Sequence, residues 1–263
     1  MTGAERIEAS LREGGEARGL ALAAFLTAGY PSREAFSEQV DAVAAEADLV
    51  EVGVPFSDPM ADGVTIQRAS RGALEAGVTL RWILEALGAH ARAAPLALMS
   101  YLNPLLAFGL PRLAEEAAAA GVAGFIVPDL PYEECAPLRD ALDAAGLALV
   151  QLVTPQTPPE RLALLCGASR GFVYAVAATG TTGGATTFSD DVLRYLDRVR
   201  AKSPLPVLAG FGVRTAGQLR EVRGHADGAV VGSALVEALE RHDDPAAFLR
   251  GLRAAAPAGG GAA

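Results

Sequence analysis

The sequence predicts an α/β fold, a single (β/α)8 TIM barrel with an extra N-terminal helix. Three observations lead there. Eight short apolar runs recur along the 263 residues, each near-continuous rather than alternating, as strands covered on both faces must be. Most are separated by Ala-, Leu- and charge-rich segments with helical spacing, so the order is strand, helix, strand, helix. No Ser/Pro/Gly linker divides the chain midway, which favours one barrel, a fold of roughly 250 residues, over two doubly wound domains. The barrel is expected over residues 1–256, and the tail PAGGGAA, residues 257–263, is expected to be disordered.

Residues 3–13 place Ile7 and Leu11 on one helical side, and Gly14-Gly15 is expected to end this leading helix. LALAAFLTA is the first strand, SREAFSEQVDAVAAEA a helix and DLVEVGVP the second strand. The gap that follows, residues 55–80, is the longest, and helical spacing becomes convincing only near Thr79. Long loops in compact domains are usually functional. LRWILEALGAHAR follows as a helix, with Trp82 packing it onto the barrel. The uncharged run APLALMSYLNPLLAFGLP approaches a membrane span in length, but Asn103-Pro104, Gly109 and Pro111 interrupt it. It reads as a buried strand followed by a loop. Strands AGFIVPDL, LALVQLV, GFVYAVA, PVLAGFG and GAVVGSA complete the eight, with helical segments LPRLAEEAAAAG, YEECAPLRDALDAAG, PPERLALLCG and SDDVLRYLDRVRAK between them.

Composition excludes several functions. The chain has 22 Lys+Arg against 31 Asp+Glu, a net charge of −9, so it has no bulk attraction for nucleic acid or an anionic membrane. Any anion must be held locally. With 51% apolar and 20% charged residues it is too hydrophobic for disorder. Cys135 and Cys166 lie in no CxxC or His-rich setting, so they read as reduced cysteines rather than a disulfide or metal site. The charged N-terminal stretch has no apolar signal region, and a cytoplasmic location is expected. His90, His225 and His242 fall on or near helices, away from strand ends, and no metal constellation is visible.

Two regions carry chemistry. In DLVEVGVPFSDPMADG, Glu51 stands alone among apolar neighbours near the C-terminal end of a strand, where barrels of this kind build active sites. Desolvation there would raise its pKa and make it both donor and acceptor of a proton; a structural ion pair is the other reading of the same residue. Asp58 and Asp62 follow in a Pro- and Gly-rich loop and, taken alone, read as turn or N-cap residues. The second region is an uncharged stretch, GFVYAVAATGTTGGATTFS, with a glycine-rich turn before a helix beginning near Ser189. Similar turns follow strands seven, Ala209-Gly210-Phe211-Gly212, and eight, Val231-Gly232-Ser233-Ala234. Each alone is tight-turn geometry. Together they converge on one quadrant, where backbone amides and a helix N-terminus cradle phosphate. A P-loop is absent, and Gly210-x-Gly212 lacks the third glycine of a dinucleotide fingerprint.

The run EVGVPFSDPMADG followed by Thr65-Ile66-Gln67 closely resembles the signature of the tryptophan synthase alpha family, and FLTAGYP, MSYLNP, VPDLPYEE, GFVYAVAATGTTG, AGFGV and VVGSALV extend the likeness to about Arg253. The resemblance implies retro-aldol cleavage of indole-3-glycerol phosphate to indole and glyceraldehyde 3-phosphate, without a cofactor of its own. It also implies pairing with a beta subunit in an α2β2 tetramer. It makes Glu51 the general acid/base and Asp62 the carboxylate facing the indole N–H. Tyr174 matches a residue beside the catalytic Glu; Phe25, Tyr101, Asp129 and Phe211 match walls of the substrate site. Gly183, Gly212, Gly232 and Ser233 match the phosphate cradle, and Thr182 the threonine of a mobile sixth loop. One departure stands out: many members carry Ser-Arg where this chain has Ala177-Ala178, and Thr181 replaces a common aliphatic. Two other readings remain on sequence grounds, a related phosphate-binding barrel isomerase or synthase, and a weakly active barrel serving mainly to activate a beta subunit.

Overall fold

The computed structural model describes residues 1–88, 91–176, 187–210 and 212–256; the tail 257–263 lies outside them, as does His90. Eight parallel strands close into a barrel, each bonded to the next in chain order and the last to the first. They are β1 (Ala21–Thr27), β2 (Leu49–Gly53), β3 (Leu96–Met99), β4 (Val122–Ile126), β5 (Ala148–Val153), β6 (Val173–Ala175), β7 (Val207–Ala209) and β8 (Gly228–Val231).

Strand burial is nearly complete, yet the period of two still sorts the side chains. On β1, Ala21, Ala23 and Phe25 belong to the cluster inside the barrel, whereas Leu22, Ala24 and Leu26 join the shell between strands and helices. Helix α1 (Gly3–Arg18) closes the N-terminal end with Ile7 and Leu11, which pack into the interior cluster. Thr2 and Glu5 form a reciprocal cap at its start. This helix runs through Gly14-Gly15, correcting the expected stop. Gly14 is there for close approach, since a Cβ would sit 2.3 Å from the carboxyl carbon of Asp48. The helix stops at Gly19, whose φ of 76° suits only a glycine-type cap.

Helices α2 (Phe36–Ala44), α3 (Val64–Glu75) and α4 (Leu80–Leu87) flank the first strands. The long gap after β2 is therefore not all loop: α3 fills its second half, burying only Ala69, Ser70 and Ala73, too few large apolar residues to show a helical period in the sequence. Thr79 caps α4, accepting from the Trp82 amide at 3.2 Å. Trp82 itself packs on Phe36 of α2, ring centroids 5.4 Å apart. After β3 comes α5 (Leu102–Phe108), another helix where a loop was expected. Pro104 lies in its first turn, where no intrahelical N–H is lost. The remaining helices are α6 (Leu110–Ala119), α7 (Ala136–Ala144), α8 (Pro159–Ala168), α9 (Asp190–Arg200, with Ser189 at its N-cap position), α10 (Ala216–Val222), α11 (Ser233–Glu240) and α12 (Pro245–Ala254). Among the described residues no helix is long and apolar enough to cross a membrane. Cys135 and Cys166 are buried and unpaired.

Candidate active site

Because Leu49 packs inside the barrel and Val50 and Val52 outside it, the strand period sends Glu51 inward. It pairs in register with Phe25 of β1 and Ala97 of β3, both interior residues, and is fully buried. Its Oε2 accepts a hydrogen bond from the Tyr174 hydroxyl at 3.4 Å, while Oε1 has no partner among the described residues. No ion pair to Glu51 occurs among the described residues, so the structural ion-pair reading has no counter-ion. Burial pushes the Glu51 carboxyl up to about 8, with the Tyr174 hydrogen bond drawing it slightly back. At neutral pH this group holds a proton. Tyr174 comes from β6, across the barrel from β2, and the absence of a side chain at Gly210 makes room for its ring: a Cβ there would lie 1.8 Å from Tyr174 Cε1.

Asp62 sits two residues before α3, half-buried. Burial raises its pKa, and a hydrogen bond with the Tyr101 hydroxyl opposes the rise. Gly63, not Asp62, holds the N-cap position of α3; the Asp62 carbonyl accepts from the Gln67 side chain at 2.8 Å. The Tyr101 hydroxyl also accepts from the Ala61 amide at 2.9 Å, and its ring stacks on Phe56 with centroids 5.1 Å apart. Asp62 charge further raises Tyr174, so the two carboxylates address one space. Asp58, by contrast, is exposed and bonded to Ser57.

A cavity of about 210 Å³ opens at this end of the barrel, lined among others by Phe25, Asp62, Tyr174, Gly212, Gly232 and Ser233. Gly212 has φ +51°, a left-handed turn that suits glycine. Ser233 begins α11, and Gly232 at its N-cap makes no side-chain cap, which leaves first-turn amides directed to the cavity end. Asp129 does not line this cavity. Both its oxygens accept from the Leu102 amide, at 2.9 and 3.2 Å, and it thus caps α5 beside Tyr101. Thr182, Gly183 and Phe211 lie outside the described residues, as do Ala177, Ala178 and Thr181.

One lining residue escaped the sequence reading. Arg214 brings a cation to a cradle read as free of basic residues, and it pairs with Glu237 of α11. Its position directly after AGFGV was the available signal. No group of three or more His, Cys, Asp or Glu able to hold a metal occurs among the described residues.

Comparison with known proteins places this geometry. The family described as tryptophan synthase alpha chain matches residues 12–256. A tryptophan synthase alpha chain of Nitratidesulfovibrio vulgaris is 45% identical over 250 residues, covering 94% of this chain and 97% of that one. One of Chloroflexus aggregans is 46% identical over 238 residues, covering 89% and 88%. Among solved structures, a chain of tryptophan synthase from Mycobacterium tuberculosis superposes with a TM-score of 0.88 at 39% identity, covering 97% of this chain and 99% of its own.

Proposed function

The chain belongs to the tryptophan synthase alpha chain family, and from that membership we propose how its own residues perform the family's reaction. As a member it is a carbon–carbon lyase that cleaves indole-3-glycerol phosphate to indole and glyceraldehyde 3-phosphate, and it works with a beta subunit in an α2β2 assembly. Met60 in the loop after β2, Val64 at the start of α3 and Leu106 on α5 are exposed apolar side chains in the segments that follow β2 and β3; they suit a surface that a partner covers.

In the proposed mechanism the phosphate rests on the amides around Gly212, Gly232 and Ser233, completed by Gly183. Glu51, protonated at neutral pH, gives its proton to indole C3. That breaks ring aromaticity and leaves positive charge on the indole nitrogen, which Asp62 stabilises. The C3–C3′ bond then breaks toward the ring as the C3′ hydroxyl becomes the aldehyde, and the hydroxyl proton returns to Glu51. One carboxyl thus serves both proton transfers, which requires a pKa near the working pH. Phe25 lines the cavity, Tyr174 steadies Glu51, and wall roles for Tyr101, Phe211 and Thr182 follow from family membership. Asp129 acts at one remove, by fixing the start of α5 beside Tyr101.

The observation that carries this reading is the buried Glu51 with a pKa pushed up to about 8 and one oxygen unpartnered, next to a cavity whose far wall is glycine turns. A cytoplasmic setting accompanies it, supported by two free cysteines. The test is indole release from indole-3-glycerol phosphate, with and without beta subunit. Release that indole-propanol phosphate inhibits competitively is the expected result. Background turnover in both conditions, with beta activity still stimulated, would leave only a binding role and overturn the catalytic one.

A further inference from the structure

We propose that Thr65, Glu237 and Arg214 form a positioning clamp that fastens the start of α3 to the phosphate side of the cavity and thereby holds Asp62 in register; the proposal rests on the assignment of Asp62 above. Asp62 needs such a device. It lies on the long segment between β2 and α3, and the residue joining it to the helix, Gly63, is extended and makes no side-chain cap. The side chains of exposed Met60, Ala61 and Val64 around it bury almost nothing, so the segment is held by the Tyr101 hydroxyl, which accepts from the Ala61 amide, by Gln67 on the Asp62 carbonyl, and by whatever fixes the start of α3.

The anchor comes three residues later. The Thr65 hydroxyl donates to Glu237 Oε1 at 3.1 Å, and the same oxygen accepts from Arg214 Nη1 at 3.2 Å. Arg214 Nη2 binds the other oxygen, so the guanidinium grips the carboxylate with both arms. Neither end of this chain is free to drift. Glu237 is one turn beyond Ser233 on α11, whose first residues line the cavity. Arg214 follows Gly212 and Val213, and its amide is fixed by Gln218 Oε1 at 2.8 Å, within the cap of α10. Arg214 and Thr65 both hold the Glu237 carboxyl below the usual carboxylate range, so it is charged whenever the enzyme works.

The geometry thus joins the two glycine turns after β7 and β8 to the carboxylate assigned to the indole end. A second tie, from Arg68 of α3 to Glu240 at 2.7 and 2.9 Å with Tyr30 donating to Glu240 at 2.8 Å, secures the same two helices one turn further on. Because that tie already docks α3, losing the first one frees its leading residues without undocking the helix. Misplacing a catalytic group by an ångström costs up to about 10²-fold, so a partial loosening is expected to cost about tenfold.

A double-mutant cycle in the αβ assembly tests this. Thr65→Val removes the donor at little change in size. The expected result is a kcat for indole release about tenfold lower, a KM within about twofold, and no further loss when the same change is made in an Asp62→Asn background, since there is then no carboxylate left to position. Thr65→Ser should restore kcat, and Glu237→Ala should behave as Thr65→Val if the latter folds poorly. An unchanged kcat in Thr65→Val, or the same tenfold loss repeated in the Asp62→Asn background, overturns the clamp. An Asp62→Asn enzyme with parental kcat instead overturns the assignment of Asp62, and the clamp with it.

Discussion

Asp48, immediately before β2, and Glu51, within it, stand three residues apart, and both are buried, at 6% and 0% exposure. Their surroundings are opposite. At the closed end of the barrel Asp48 accepts from the Leu22 amide at 2.8 Å and from Arg253 at 2.9 Å, and also pairs with Arg18. At the open end, among the described residues, Glu51 has one long hydrogen bond and an oxygen with no partner. Burial alone therefore does not distinguish a structural carboxylate from a reactive one; pairing does. Asp48, gripped by two guanidinium groups and an amide, serves the architecture, whereas Glu51, at the same depth without a cation, keeps its proton and is available for chemistry.

The contrast can be broken in steps. The largest effect is expected from Glu51→Gln, which removes the proton donor while keeping shape: indole release should fall by about 10³-fold with circular dichroism unchanged. Stability should move the other way with pH. Since the folded state raises the Glu51 pKa from its ordinary 4.5 to about 8, ionisation costs the parent stability progressively between those values. Thermal melts should therefore show E51Q gaining on the parent from pH 5 to pH 8. Asp48→Ala is the mirror image, leaving Arg18 and Arg253 without their carboxylate. It should cost about 3 kcal/mol in urea unfolding with kcat nearly intact; a large loss of kcat without loss of stability would erase the distinction between the two ends.

Asp62 is the intermediate case, half-buried and held by a tyrosine hydroxyl. Asp62→Asn should lower kcat by about 10²-fold, less than Glu51→Gln, as measured at saturating substrate. The smallest change is Tyr174→Phe. Losing the hydroxyl removes the one influence that lowers the Glu51 pKa, so the high-pH limb of the rate profile should move upward and the rate fall about fivefold, the scale of one hydrogen bond. A limb that moves downward would mean that Tyr174 does not bond the ionised carboxylate.

The strands were legible because burial on both faces writes a continuous apolar run, and the glycines after β7 and β8 mark the turns that follow them. Glu51 was legible for the same reason, as a lone charge in such a run. What was hidden depends on contacts distant in sequence. Gly14 looks like a helix stop until Asp48 is seen against it. The α5 helix exists where Pro104 and Gly109 suggest a loop because Asp129, from another strand's end, caps it. Helix α3 buries small residues and so has no apolar stripe. Whether Glu51 has a counter-ion could not be read locally, since the answer lies with β6 and the six other strands around it.

The most direct test of the account is titration of the Glu51 carboxyl itself, by 13C NMR of the full-length chain labelled at glutamate side-chain carbons, with the E51Q spectrum identifying its signal. A signal that titrates near pH 8, well apart from the other glutamates, is the predicted result. Titration near 4.5 would mean that Glu51 is charged at neutral pH and is not the proton donor the account requires.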